Sequence, residues 1–301
     1  MRTHLECVPC FLRQALDACR MITDDRATHE RAMRRTLRLV AGMPFDCSPP
    51  WMGQRIHRLL REETGNSDPY RGVKRHSNTL ALGLYPTLRR RVRDSVDSLT
   101  TAVRLAIAGN VIDFGCRTHV GDGEIHQAIE DALQETSDEA VVEDLRRRVE
   151  EAKDILYLTD NAGEIVLDRL LIEQMQTDRV TAVVRGGPVI NDATREDAET
   201  TGLTSLVTVM DNGSDAPGTI LDTCSAEFRD RFARSDLVIA KGQGNYETLG
   251  RGDREVVFLL KVKCPVVARS IGCDAGRSLV CHSRPTRQRT SSTVPVPACE
   301  D

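Results

Sequence analysis

The spacing of apolar residues divides the chain into a helical first part and a mixed second part. Up to about residue 136, apolar positions recur at helical spacing, with turn signals between the runs. Pro49 and Pro50 stand where a helix can begin, and residues 66–69 (Asn-Ser-Asp-Pro) are typical of a loop. We therefore predict several amphipathic helices in this part of the chain.

Beyond Asp154 the apolar positions form short runs that are rich in β-branched residues and alternate with stretches of helical spacing. Near-continuous apolar strands separated by helices favour a parallel sheet that is covered on both faces. We predict a three-layer α/β/α domain with a mainly parallel central sheet. Its strands are expected at residues 155–159, 180–185, 205–209, 237–240 and 265–268.

Three regions follow from these patterns: a helical N-terminal subdomain at residues 1–108, an α/β domain at 109–275 and a tail at 276–301. The tail is rich in Ser, Thr, Pro and Arg with little periodicity, so we expect it to be mobile. In open α/β sheets ligands bind at the carboxyl ends of the strands. The residues just after each apolar run are therefore the candidates for function.

Composition and charge exclude several classes of partner. The chain carries 41 Lys and Arg against 45 Asp and Glu. This balance gives the protein no general positive electrostatic field that would attract the phosphate backbone of a nucleic acid. Aromatic residues make up only 4%, which argues against stacking platforms for bases. No apolar run approaches the roughly 20 residues of a membrane span. We expect no nucleic-acid or membrane partner and, without a signal segment at the start, a cytoplasmic protein.

Ten cysteines are spread along the chain, and the one local pair is Cys7-x-x-Cys10. Three interpretations of this pair remain open. The thiols are simply buried, or they bind a metal together with a distant ligand such as Cys264 and with His4 one turn away, or they are redox-active. Redox activity of the thioredoxin kind would require a preceding strand, which the pattern does not predict.

The sharpest motif is Thr-Asp-Asn-Ala-Gly-Glu at residues 159–164, directly after the first predicted strand. Asp160 and Asn161 are expected at the carboxyl edge of the sheet, where a carboxylate and a carboxamide suit Mg²⁺ or Mn²⁺. The alternative is that one of the two caps the following helix.

A second motif occupies residues 186–194 (Gly-Gly-Pro-Val-Ile-Asn-Asp-Ala-Thr), again after a strand. Asp192 can supply a second carboxylate to the same crevice. Here too the alternative is capping, by Asn191 or Asp192, of a helix that contains residues 195–199.

Two further motifs carry lysines. Residues 240–247 place Lys241 before Gly242, Gly244 and Asn245, which resembles an anion cradle although it lacks the spacing of a P-loop. Lys261 and Lys263 precede the last predicted strand. They form either a solvated edge or a source of positive charge for a phosphoryl group.

The helical part contributes two candidate segments. Asn110 and Asp113 lie in an apolar, glycine-bounded stretch at residues 109–115, and residues 68–70 with Lys74 and Asn78 are candidates for a lid. Capping and turn formation explain either segment equally well.

Six motifs in this order resemble the damage-control phosphatases, formerly the family called domain of unknown function 89. They are the Glu-Cys-x-x-Cys start, the segments at residues 109–115, 159–164 and 191–194, the Lys-Gly loop at 241–247 and the Lys-Val-Lys-Cys-Pro segment at 261–265. The Cys-x-x-Cys start is similar to the prokaryotic and archaeal branch. The resemblance covers about residues 4–275.

The resemblance implies a divalent-metal-dependent phosphatase with a helical N-terminal part and a metal- and phosphate-binding α/β domain. By this resemblance Asp160, Asn161 and Asp192 hold the metal, which is Mn²⁺, Mg²⁺, Co²⁺ or Ni²⁺, and Asp160, Asn161 and Lys263 are the catalytic candidates. The implied phosphate-binding residues are Lys241, Gly242, Gly244, Asn245, Lys263, Asn110 and Asp113.

We therefore expect hydrolysis of phosphomonoesters of small metabolites, such as sugar phosphates or damaged phosphometabolites. The residues do not decide between water and a carboxylate as nucleophile. Two other functions stay open: a non-catalytic regulator that binds metal and phosphometabolite, and an S-adenosylmethionine-dependent carboxyl methyltransferase, although no glycine-rich nucleotide loop supports the latter.

Overall fold

The computed structural model describes residues 1–111, 122–135 and 139–283. The part before the first strand is helical, as the apolar spacing predicts. Its helices are α1 (Cys7–Ile22), α2 (Arg26–Ala41), α3 (Pro49–Thr64), α4 (Arg71–Asp94), α5 (Ser98–Val111), α6 (Asp122–Gln134) and α7 (Glu139–Glu151).

Local sequence signals set the ends of these helices. The Asp25 carboxylate accepts hydrogen bonds from the N–H groups of Ala27 and Thr28 and thereby caps α2. Pro49 lies in the first turn of α3, where no helical N–H bond is lost, and Gly65 ends this helix with a left-handed φ of 66°. The helix predicted at the proline pair is therefore confirmed.

The α3 residue His57 is buried in the helical part. It is 2% exposed and its ring lies 5.8 Å from that of Tyr70, centroid to centroid. Burial lowers the pKa of His57 from 6.5 to about 3, and the charge of Arg61 acts in the same direction. His57 therefore stays neutral in the folded protein over most of the acid range, whereas in the unfolded chain it titrates at its ordinary pKa.

This burial predicts an acid-sensitive stability. Because the unfolded chain binds a proton that the folded protein does not, His57 should lower the free energy of unfolding by about 1.4 kcal/mol per pH unit as pH falls from 6.5 towards 3. Urea unfolding at several pH values should show a shallower acid dependence for His57→Phe than for the wild type. The exposed His76→Gln is the control and should match the wild type, and equal slopes for His57→Phe and the wild type would contradict the assignment.

The second part contains a six-stranded sheet among the described residues. The strands are β1 (Ile155–Leu158), β2 (Val180–Val184), β3 (Thr208–Asp211), β4 (Leu237–Lys241), β5 (Val257–Lys261) and β6 (Ser278–His282). Their order is β3-β2-β1-β4-β5-β6. The first five are parallel, and β6 runs antiparallel to β5.

Helices cover both faces of this sheet. They are α8 (Glu164–Ile172), α9 (Arg195–Thr200), α10 (Ala226–Arg234), α11 (Gly242–Leu249) and α12 (Pro265–Ile271), with short 3₁₀ turns at Thr177–Arg179, Leu203–Ser205 and Leu221–Thr223. On β1, Ile155 and Tyr157 join a core with α4, α5 and α8, whereas Leu156 and Leu158 join a core with α10, α11 and α12. The predicted three-layer α/β/α architecture is confirmed.

The strand order reverses between β1 and β4. In open α/β sheets such a reversal creates a crevice at the carboxyl ends of the two strands, and ligands bind there. The motifs at residues 159–164 and 241–247 both follow these strands. The topology therefore places both motifs at the crevice where a ligand is expected to bind.

One predicted strand is wrong. Residues 265–268 belong to helix α12, which Pro265 begins after the extended Cys264. The two valines of this segment suggested a strand, but a proline in the first helical turn is a strong helix start. The strand is β5, one segment earlier. This correction places Lys263 after a parallel strand, at the carboxyl edge of the sheet, rather than before one.

The chain also stays ordered beyond residue 276, where a mobile tail was expected. Residues of β6 pair with β5 from Ser278 opposite Lys261 to His282 opposite Val257. This strand is short and only partly buried, which explains its weak apolar signal. Residues 284–301 lie outside the described residues. Within the described ranges, every helix is too short or too polar to cross a membrane.

Candidate active site

Two loops after neighbouring strands bring the three predicted metal ligands together. Asp160 and Asn161 follow β1, and Asp192 lies in the loop after β2. The main chains of the loops bond directly: Asn161 and Asp192 form a β-bridge, and the Ala193 N–H donates to the Asp160 carbonyl at 2.8 Å. All three side chains are buried. Main-chain hydrogen bonds therefore hold two carboxylates and one carboxamide side by side.

Neither motif is a helix cap, which was the alternative for both. Gly163 is the N-cap residue of α8, and none of the described side chains caps that helix. Thr194 is the N-cap residue of α9 and forms a reciprocal capping box with Asp197. The side chains of Asp160, Asn161 and Asp192 are thus not used to begin these helices.

Glu164, the first residue of α8, orients the Asn161 carboxamide. Asn161 Nδ2 donates to Glu164 Oε1 at 2.7 Å and to Asp160 Oδ2 at 3.2 Å. Because two carboxylates hold the amide nitrogen, the Asn161 carbonyl oxygen points away from them.

Negative charge is concentrated in this buried region. Burial raises the pKa of Asp192 to about 7, with the nearby Asp160 raising it further and Arg185 opposing the shift. Burial likewise raises the pKa of Glu164 to about 8, with Lys241 opposing and Asp160 reinforcing the change. A cation placed here would favour the ionised carboxylates.

Arg185, the residue after β2, is a site residue that the sequence reasoning missed. It is 3% exposed, and its Nε donates to Asp192 Oδ2 at 2.6 Å. Its Nη2 lies 3.8 Å from Asp160 Oδ1. An arginine at the end of an otherwise apolar strand is the signal that marks it, since the strand-end position carries function in this fold.

The glycines of the Lys-Gly loop serve close packing. Gly242 has a φ of +78°, and a Cβ at this position would lie 1.9 Å from Asp160 Oδ2. A Cβ on Gly244 would lie 2.3 Å from the Pro217 carbonyl oxygen. The first turn of α11 therefore rests against Asp160 on one side and against Pro217 on the other, and the two glycines make this approach possible.

Lys241 does not have the position expected for a phosphate-binding lysine. Its side chain has no exposed surface. Nζ donates to Asp168 Oδ1 at 2.6 Å and to the Ala106 carbonyl at 2.7 Å, and it lies 3.6 Å from Glu164 Oε2. The lysine thus neutralises buried carboxylates of α8, and this placement does not support a direct contact with phosphate.

Asn245 is also fully buried, and its side chain links several segments of the site by hydrogen bonds. Its Nδ2 donates to the carbonyls of Lys241 and Thr159, and its Oδ1 accepts hydrogen bonds from Thr219 at 2.8 Å and Arg185 at 3.2 Å. These bonds join the ends of β1 and β4 to the arginine of β2. The role expected for Asn245, direct binding of phosphate, is not supported by this geometry either.

Lys263 is the exposed lysine of the predicted set. It lies in the loop after β5, and its N–H donates to Gln243 Oε1 at 3.1 Å. Its charge is among those that oppose the burial-driven rise in the pKa of Glu164. Lys263 is therefore within electrostatic reach of the site and is accessible to a ligand.

The remaining candidates from the helical part divide into two groups. Asn110 lies in α5, near its end, and Asp113 falls outside the described residues. Lys74 and Asn78, predicted to line a lid, are buried instead: Asn78 Oδ1 accepts from the Gly163 N–H at 2.7 Å, and both side chains donate to Asp197. Asn78 therefore fastens α4 to the loop that carries Asp160, and both side chains fasten α4 to α9.

The two N-terminal cysteines begin α1. Cys7 is half-buried and Cys10 is exposed, so a fully buried pair is not what the structure shows. Burial raises the pKa of the Cys7 thiol, which disfavours the reactive thiolate. Neither Cys7 nor Cys10 forms a disulfide.

The chemistry of the donor set fits a hard divalent ion. Within the described ranges, no three His, Cys, Asp or Glu side chains converge as a metal-binding group. The candidate set instead combines the carboxylates of Asp160 and Asp192 with the carboxamide of Asn161. Oxygen donors of this kind suit Mg²⁺ or Mn²⁺, and Mg²⁺ typically retains several waters next to one or two carboxylates.

Comparisons with known proteins identify relatives of this chain. The chain is 38% identical over 289 residues to an uncharacterized protein of Methanocaldococcus jannaschii, covering 91% of this chain and 93% of that protein. It is 35% identical to a damage-control phosphatase of Pyrococcus horikoshii, covering 93% and 98%, and 34% identical to a damage-control phosphatase of Archaeoglobus fulgidus, covering 90% and 95%.

A crystal structure of a DUF89 family protein of Pyrococcus horikoshii matches the fold with a TM-score of 0.85 at 33% identity, over 94% of this chain and all of that chain. The family model described as Damage-control phosphatase ARMT1-like domain matches residues 3–279. The matched segment includes the five parallel strands and every site residue described above. The protein therefore belongs to the family of ARMT1-like damage-control phosphatases.

Proposed function

We propose that this protein is a divalent-metal-dependent phosphomonoesterase that acts on small phosphorylated metabolites, such as sugar phosphates or damaged phosphometabolites. The observation that carries the proposal is the meeting of Asp160, Asn161 and Asp192 at the carboxyl edge of β1 and β2. The relatives named damage-control phosphatases support the phosphatase chemistry.

The position of each site residue indicates its role in the proposed reaction. Asp160, Asn161 and Asp192 would hold the ion, which when bound polarises a phosphoryl oxygen as a Lewis acid. Glu164 accepts a hydrogen bond from the Asn161 amide nitrogen and so helps to hold the carboxamide in place. The exposed Lys263 contributes positive charge where negative charge develops on the phosphoryl group.

Phosphate release tests the proposal directly. Protein dialysed against a chelator should release no phosphate from p-nitrophenyl phosphate or sugar phosphates, and Mn²⁺, Mg²⁺, Co²⁺ or Ni²⁺ should restore the activity. Asp160→Ala should lose on the order of 100- to 1,000-fold in kcat/KM with metal present, because the Lewis acid loses a ligand.

Asp178→Ala provides the matched control, since Asp178 is an exposed carboxylate in the turn before β2, at the opposite edge of the sheet from the site. It should retain wild-type activity. Full activity of Asp160→Ala, or equal losses in the two variants, would contradict the site. Binding of metal and phosphate without turnover would show a regulator, and saturable binding of S-adenosylmethionine would show a methyltransferase.

A further inference from the structure

The guanidinium of Arg185 is held rigidly at the site. Nε donates to Asp192 at 2.6 Å, and Nη1 donates to Thr219 Oγ1 at 3.3 Å and to Asn245 Oδ1 at 3.2 Å. Three partners on three separate segments fix both the position and the plane of the group. Such a preorganised donor requires little rearrangement when charge develops next to it.

One nitrogen of this group is not used. Among the residues that the structure describes, Nη2 has no hydrogen-bond partner, although it is buried. The nearest carboxylate, Asp160, lies 3.8 Å away, beyond hydrogen-bond distance. A buried donor that makes no hydrogen bond is costly, and in native proteins such a group calls for a specific explanation.

The surroundings of Arg185 point to a phosphoryl group as the missing partner. Arg185 contacts both Asp160 and Asp192, and together with Gly186 and Gly187 it also lines a cleft of about 440 Å³. It therefore borders both the proposed ion site and open space. Guanidinium groups bind phosphate oxygens strongly because the donors are charged and planar.

We propose that Arg185 is a catalytic residue whose Nη2 donates a hydrogen bond to a phosphoryl oxygen of the bound substrate. This inference rests on the proposed phosphatase function. The sequence motifs place the phosphate contacts on lysines, asparagines, glycines and Asp113. Arg185 is an additional, buried contact. This role also explains why the guanidinium is braced by Thr219 and Asn245 rather than by Asp192 alone.

The test compares Arg185→Lys with the wild type in the presence of saturating Mn²⁺. A lysine keeps the positive charge, but one ammonium cannot bond Asp192 and a phosphoryl oxygen with the geometry of the fork. The Kd for inorganic phosphate, measured by calorimetry, and the KM for a sugar phosphate should both rise on the order of 10- to 100-fold. The Kd for Mn²⁺, titrated without phosphate, should stay at the wild-type value.

Arg231→Lys is the matched control. Arg231 also joins a carboxylate and a hydroxyl, those of Asp154 and Thr181, but at the opposite edge of the sheet. This variant should bind phosphate as the wild type does. If Arg185→Lys does not fold, Thr219→Val removes one brace of the guanidinium and should weaken phosphate binding on the order of 3- to 10-fold.

The outcomes separate this inference from the proposed function. If the wild type hydrolyses phosphomonoesters but Arg185→Lys and Thr219→Val bind phosphate normally, only the role of Arg185 is overturned. A parallel loss of Mn²⁺ affinity and phosphate affinity would also overturn it, because Arg185 would then act through Asp192. A wild type that neither binds phosphate nor hydrolyses phosphomonoesters overturns both proposals.

Discussion

Replacing Gly242 with alanine is expected to remove phosphatase activity by at least about 100-fold while the protein still folds. Two effects combine at this position. The φ of +78° lies in the left-handed region, where a Cβ costs about 1–2 kcal/mol. The new Cβ would also lie 1.9 Å from Asp160 Oδ2, so the carboxylate must move out of its position. Activity is measured as phosphate release with saturating metal, and stability by urea unfolding.

Gly272→Ala separates the two effects. Gly272 has a φ of +89°, and within the part of the chain that is described nothing lies within 4 Å of its Cβ position. The variant should lose similar stability through backbone strain and keep its activity. Equal activity in the two variants would show that the approach of α11 to Asp160 has no role in the site.

The second large effect is expected on stability rather than on catalysis. Lys241→Met should lower the free energy of unfolding by about 3–5 kcal/mol, because it leaves buried carboxylates without their counter-charge. Asp168, which also accepts a hydrogen bond from the Tyr157 hydroxyl at 2.9 Å, has no exposed surface on which water can replace the lysine. Urea unfolding at neutral pH measures the loss, and the double variant Lys241→Met with Asp168→Asn should recover part of it.

Lys263→Met is the comparison that distinguishes the two lysines. Lys263 is exposed, so its replacement should change the free energy of unfolding by less than about 0.5 kcal/mol. If Lys241→Met kept wild-type stability and instead weakened phosphate binding alone, the buried ion-pair role would be wrong. The sequence-based assignment of Lys241 to phosphate would then stand.

The pattern of apolar runs predicted the architecture because buried parallel strands leave a strong signal. Ile155 to Leu158 and Val180 to Val184 are apolar or β-branched almost throughout, and they are buried on both faces. The apolar pattern predicted the wrong element where a second sequence signal was stronger. At residues 265–268 two valines follow a proline, and the proline as a helix start was the stronger determinant.

The candidate site was predictable where residue type and strand end coincide. Asp160 and Asn161 come just after β1, and Asp192 lies in the loop after the neighbouring β2, so the topology brings them together. The roles of Lys241 and Asn245 were not predictable, because whether the last residue of a strand faces a crevice or a core depends here on α5 and α8, which are distant in sequence. Arg185 carried a sequence signal, its place at the end of an apolar strand, but its partners Asn245 and Thr219 come from segments far along the chain.

The attachment of α4 to the site loop limits how far the N-terminal part of this fold can be shortened. Asn78 bonds the N–H of Gly163, and Lys74 is buried between Asp68 and Asp197. A cut near residue 108 would therefore strip hydrogen-bond partners from the loop that begins at Asp160. The α/β part therefore depends on the helical segment for contacts at the site loop. An ancestral or minimal version of this enzyme has to retain α4, or evolve a substitute for it, before the α/β part can hold its carboxylates in place.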